Sequence, residues 1–131
     1  MIRRVVGTLG LIAVAAAGLG LATGFAQAQP AAPQVANATA HITVAASEFK
    51  FVFSKRSVPV GTTVIFTVVN KGKIAHNFSV VGTSISTQTP TLAPGKTASI
   101  TVTFLKNGRY TYLCTIPGHA AAGMKGTLVV K

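Results

Sequence analysis

A two-sheet β-sandwich is the fold that this 131-residue sequence predicts, and three observations predict it. Short runs rich in valine, isoleucine, threonine and aromatic residues follow one another from His41 to Lys131, the composition that suits a pleated, half-buried surface. Turn residues separate them: "VPVG" before Thr62, "NKGK" before Ile74, "LAPGK" before Thr97 and "LKNGR" before Tyr110. The same region holds no convincing amphipathic helix. With 49% of residues hydrophobic and 10% charged, the chain is too apolar for disorder and long enough for one domain.

The elements follow in chain order. Residues 1–28 are expected to be a secretory signal, because Arg3 and Arg4 precede a charge-free apolar run that ends in Ala26-Gln27-Ala28. The stretch from Val5 to Ala22 stands near the lower limit for crossing a bilayer, so an uncleaved anchor with membrane association is the alternative. Arg3 and Arg4 also permit a twin-arginine export reading, a weak one. Residues 29–40, "QPAAPQVANATA", lack periodicity and read as a flexible Ala/Pro-rich spacer. The domain is then 41–131, with strands expected at "HITVAA", "KFVFS", "TVIFTVVN", "HNFSVV", "TASITVTF", "YTYLC" and "GTLVVK". The fifth alternates strictly. Ala98, Ile100, Val102 and Phe104 share one face, while Thr97, Ser99, Thr101 and Thr103 share the other, as in a strand with one wet side. These seven runs are too many for a single flat sheet, so two sheets pack face to face.

Charge narrows the partners. The chain carries a formal net charge of +11 at pH 7, with Glu48 as its one acidic residue. Acidic proteins or anionic surfaces are the expected partners. Nucleic acid is not expected: the basic residues are scattered over turns and strand ends, without a basic helix or an interleaved aromatic platform. A solvated surface that only keeps the protein soluble explains the charge equally well.

Chemistry must come from residues that can act together, because a sandwich by itself specifies no activity. Cys114, His119 and Met124 fall in the pattern C-x4-H-x4-M within "YLCTIPGHAAAGMKG", and His76 opens "HNFSVV" upstream. Singly, each has an ordinary explanation: a small buried hydrophobe, a turn histidine, a core-filling methionine. Together they make a thiolate, two imidazoles and a thioether, the donor set of a blue-copper electron-transfer site. One turn before the last strand delivers three of the four. An unpaired cysteine in an exported chain is consistent with metal occupancy. His41, on the first strand, is expected to be solvated.

These residues resemble those of the cupredoxins, the small blue-copper family that includes azurin, plastocyanin and auracyanin. "CTIPGH" followed by "MKGTLVV" resembles the end of azurin, and "HNF" resembles the stretch around the family's first histidine; the likeness covers most of residues 41–131. Two departures from azurin stand out. The gap from histidine to methionine is longer, with Gly123 before Met124, and the cysteine pair of azurin's disulfide is absent.

The resemblance implies a Greek-key sandwich of about seven to eight strands holding one copper ion. His76 and His119 would bind through ring nitrogens, Cys114 through a short thiolate bond and Met124 through a long thioether contact. Asn77 matches the asparagine that tethers the ligand loop and helps hydrogen-bond the cysteine sulfur, and such bonds tune potential. Ala75 stands where azurin presents a backbone carbonyl to the metal. The implied function is a monomeric exported or periplasmic electron carrier that cycles Cu(II)/Cu(I). Its redox partners are then acidic proteins, such as a cytochrome or a membrane-bound electron-transfer complex, meeting an apolar collar of Ile116, Pro117, Gly118 and Ala120–Ala122 around His119. Lys73 and Lys125 are expected at its rim.

Other classes are weaker. A copper enzyme needs further copper sites and more histidines than the three present, and a binuclear copper centre needs a second cysteine. A periplasmic copper carrier or storage protein is the alternative, although the chain lacks the Met-rich or multi-Cys motifs that suit it.

Overall fold

Alternation between Thr39 and Val130 turns one side of each run inward and pairs the runs into two sheets. The structure, a computed structural model, describes Gly24, residues 27–30 and residues 37–131. The signal expected over 1–28 and the spacer over 29–40 fall largely outside the described residues. The fold described below belongs to the compact unit Pro33–Lys131.

Nine strands form: β1 (Thr39–Ser47), β2 (Lys50–Phe53), β3 (Ser57–Val58), β4 (Thr62–Asn70), β5 (Ser79–Gly82), β6 (Ile85–Gln88), β7 (Thr97–Phe104), β8 (Gly108–Leu113) and β9 (Lys125–Val130). No helix occurs among the described residues, and none there is long and apolar enough to cross a membrane. One sheet runs β2-β1-β4-β7 and the other β3-β9-β8-β5-β6. Two pairings are parallel, β1 with β4 and β3 with β9; the remaining pairs are antiparallel. The chain changes sheet on entering β3, β4, β5, β7 and β8, which makes the expected Greek-key sandwich.

The expected strands are present with adjusted ends, and two more are added. β3 is a two-residue pairing that overlaps the start of the segment expected as a turn, too short to show any period. β6, "ISTQ", has no buried residue and closes a hairpin with β5, so apolar patterning does not announce it. β1 starts at Thr39, ahead of the expected His41, because Thr39 and Ala40 continue the parallel register against Thr63 and Val64. The strand expected from His76 begins only at Ser79: His76 instead forms an isolated bridge with Leu92. Cys114 lies just beyond the end of β8.

Between the sheets lies a core of Ile42, Val44, Val64, Phe66, Val68, Val102, Phe104, Tyr110 and Leu128, all buried. β7 behaves as its pattern requires, with Thr97, Ser99, Thr101 and Thr103 exposed and Val102 and Phe104 buried. Phe78, two residues after His76, is wholly buried and packs edge-on against Phe51 at 5.2 Å between ring centroids. It also meets Phe53, Phe66 and Tyr112. Aromatic pairs of this geometry add about 0.5–1.5 kcal/mol each beyond burial. This cluster anchors the segment that carries His76.

Candidate metal centre

The four residues singled out in the sequence sit where strands end: His76 between β4 and β5, Cys114 directly after β8, His119 within the following turn and Met124 directly before β9. Each is held by backbone bonds. The His76 N–H donates to Leu92 O at 3.1 Å, and the Leu92 N–H returns a bond to His76 O at 2.7 Å. Cys114 N donates to Met124 O, and Met124 N to His119 O, both at 3.0 Å. The turn from Cys114 to Met124 is thereby closed on itself.

Gly123, the added residue before Met124, takes φ +109°, a conformation that L side chains rarely adopt. Its freedom lets the chain turn back so that Met124 can bond both Cys114 and His119. The longer gap is therefore absorbed by the turn.

Three donor atoms converge. His76 Nδ1 stands 3.2 Å from His119 Nδ1, which stands 3.5 Å from Cys114 Sγ, and the ligand atoms of all three lie within 4.8 Å of one another. His76 is 0% exposed, Cys114 1% and His119 9%. Bonds of about 2.0 Å from a metal to nitrogen and about 2.3 Å to sulfur would span such a cluster with small adjustments. Met124 is wholly buried and belongs to the same core cluster as Cys114.

Electrostatics favour a neutral imidazole at His76. Burial pushes its pKa down, and the neighbouring His119 pushes it further, while Glu48 works in the opposite direction. A neutral ring is the form that binds a metal. Glu48 is a firm anion: hydrogen bonds from its own backbone N–H and from Lys73 N lower its pKa to about 2, against desolvation, with Ile74 N adding to the effect.

The expected tether is present. Asn77 Oδ1 accepts from Thr115 N at 2.7 Å, and Asn77 Nδ2 donates to Thr115 Oγ1 at 2.6 Å. The carboxamide thus clamps the residue after Cys114, and the neighbour that meets the sulfur is His119 Nδ1. His41 is exposed on β1, away from the cluster's membership. Pro117, Gly118, Ala121 and Ala122 are exposed beside His119, with Ile116 and Ala120 half-buried.

Three residues near the site were not singled out by sequence reasoning. Phe49 lays its ring edge-to-face with His119, centroids 5.2 Å apart. Glu48 Oε1 lies 3.7 Å from His76 Nε2. Asn70, 1% exposed, donates from Nδ2 to Ile74 O and Leu92 O and accepts from Gly72 N at Oδ1, each at 2.8 Å, pinning the loop that leads into His76. The available signal was Glu48's being the chain's one acidic residue; Phe49 falls between two expected strands, and Asn70 reads as an ordinary turn residue.

Comparison with known proteins agrees with this fold. The family described as a cupredoxin-like domain matches residues 12–130. The copper-resistant cuproprotein CopI of Vibrio cholerae serotype O1 is 32% identical over 114 residues, covering 72% of this chain and 66% of the relative, so the chain spans just under two thirds of that protein. Among solved structures, an auracyanin from Roseiflexus castenholzii aligns with TM-score 0.58 and 28% identity over 71% of this chain and 96% of its own. Rusticyanin from Thiobacillus ferrooxidans aligns with TM-score 0.61 and 28% identity over 71% of this chain and 77% of its own.

Proposed function

The chain belongs to the cupredoxin-like domain family, and from that premise we propose that it is an exported one-electron carrier rather than an enzyme. Copper is its cofactor: a cysteine thiol and two imidazoles whose donor atoms lie within 4.8 Å, with a buried methionine closing the same turn, fit one copper ion. That convergence carries the reading. His76 and His119 would hold the ion through Nδ1, Cys114 through its thiolate and Met124 through its thioether. Bound there, copper supplies one-electron chemistry, Cu(II) to Cu(I) and back.

The chain's own residues set the conditions for that exchange. The self-bonded turn and the Asn77–Thr115 clamp keep the donors in one arrangement, so little reorganisation accompanies a change of charge. Phe49 packs against the ring of His119 and helps to hold it in place. His119 remains the ligand nearest the surface, within an uncharged collar suited to the small, quickly released contacts of redox encounters. Exposed Lys73 and Lys125 and the net positive charge favour acidic redox partners. The signal pattern of residues 1–28 supports a periplasmic or other extracytoplasmic location for a monomer, with retention of that segment as the membrane-associated variant.

The test is a titration of the purified protein with Cu(II). Intense blue absorption should appear, bleach on adding a reductant and vanish in Cys114→Ser. A colourless protein, or colour that survives that substitution, overturns the proposal. The copper-resistance relatives favour a second reading, a copper carrier or store. Repeated reduction and reoxidation without loss of copper to a competing Cu(I) chelator supports electron transfer, whereas ready surrender of the ion supports the carrier.

A further inference from the structure

We propose that Glu48 is a positioning residue of the metal site, accepting the Nε2 proton of His76 and thereby committing Nδ1 of that ring to the metal; this rests on the copper reading above. The tip of the β1–β2 hairpin is only two residues long, since Ser47 pairs with Lys50. It addresses both histidines at once, with Phe49 against the ring of His119 and Glu48 beside His76.

Three observations carry the assignment. His76 Nε2 is buried and has no hydrogen-bond partner, while Nδ1 of the same ring faces His119 Nδ1. With a metal on Nδ1, the ring proton must sit on Nε2, where an unanswered buried donor is costly. Glu48 Oε1 lies 3.7 Å from that nitrogen, so an approach of under an ångström makes an ordinary hydrogen bond of about 2.9 Å. The carboxylate is also seated: Oε1 accepts from Lys73 N at 2.5 Å and from Ile74 N at 3.0 Å, in the loop that Asn70 pins. Gly72 leaves space for it, because a Cβ there would stand 2.6 Å from Oε1 and 2.9 Å from Oε2.

A loop cap is the competing explanation, but a cap requires only an oxygen, which glutamine supplies as well. What glutamine lacks is charge, and this is the sequence's one acidic side chain. A carboxylate behind a ligating imidazole raises the basicity of the ring, and losing such a partner typically weakens metal binding by about 10–100-fold. It also favours the higher charge state at the site, so removing it should raise the reduction potential.

The experiment compares the unaltered full chain with Glu48→Gln and Gly72→Ala. Three readouts are taken: nitrogen-15 resonances of the His76 ring in the metal-free protein, the blue band and the reduction potential. The expected result is a predominant Nε2–H form of His76 in the unaltered protein that is depleted in both variants, with the band kept, weaker copper binding and an upward shift in potential. Unmoved His76 resonances and potential in both variants reduce Glu48 to a loop cap and overturn the inference. Failure of the unaltered protein to turn blue defeats the copper reading instead; the metal-free nitrogen-15 spectra then still decide whether Glu48 sets the His76 tautomer.

Discussion

Replacing Asn70 by alanine probes the scaffold under His76 without touching a proposed ligand. Three side-chain hydrogen bonds of 2.8 Å disappear with it. Leu92 O keeps a partner in His76 N, but Ile74 O and Gly72 N lose their side-chain partners. Each of the three bonds contributes about 1 kcal/mol, so the loss should total about 2–4 kcal/mol. In a domain of this size each kcal/mol moves the melting temperature by about 4–8 °C, which gives a fall of about 10–30 °C. The assay is thermal unfolding of the metal-free protein followed by circular dichroism, so that metal binding does not add to stability. Ser99→Ala, which removes an exposed 3.3 Å contact with Thr67, is the control and should change stability by no more than about 0.5 kcal/mol. A melting temperature for Asn70→Ala that matches this control refutes the reasoning.

Met124→Ala should keep the blue absorption while shifting the reduction potential, and should cost about 2–5 kcal/mol in unfolding free energy because the side chain is wholly buried. Complete loss of copper binding, measured by titration, would make the thioether a required donor rather than a weak one. Asn77→Ala strands Thr115 N and should destabilise the metal-free protein by about 1–3 kcal/mol, read by denaturant unfolding; an unchanged midpoint denies the clamp its role. Electron transfer with an acidic redox protein should slow as ionic strength rises, because the attraction of a +11 chain is screened. A flat salt profile in stopped-flow measurements sinks the steering role.

The parts of this protein that were legible in sequence are those written within short stretches of chain. β7 declares its two faces through strict alternation, and β4 is legible as a run of β-branched and aromatic residues, "TVIFTVVN". Cys114, His119 and Met124 are legible for the same reason: one turn contains all three, and its backbone bonds are local. β3 and β6 were missed because a two-residue pairing and a strand without buried residues leave no apolar period to read. The start of β5 was misplaced because His76 and Asn77 have their backbone and side-chain bonds outside the sheet, with Leu92 and Thr115.

By itself, then, the sequence determined the sandwich, the donor types and the spacing of three of them, since apolar periodicity and ligand chemistry are properties of neighbouring residues. Only the tertiary structure decided what surrounds those donors. Glu48 reaches His76, and Phe49 reaches His119, because the parallel register of β1 and β4 carries the hairpin tip to the end of the sandwich where the loop leading to His76 begins. Asn70 joins that loop to Leu92 across a long sequence separation. These contacts depend on strand order and register, which arise from packing one face of each sheet against the other rather than from any local run of residues.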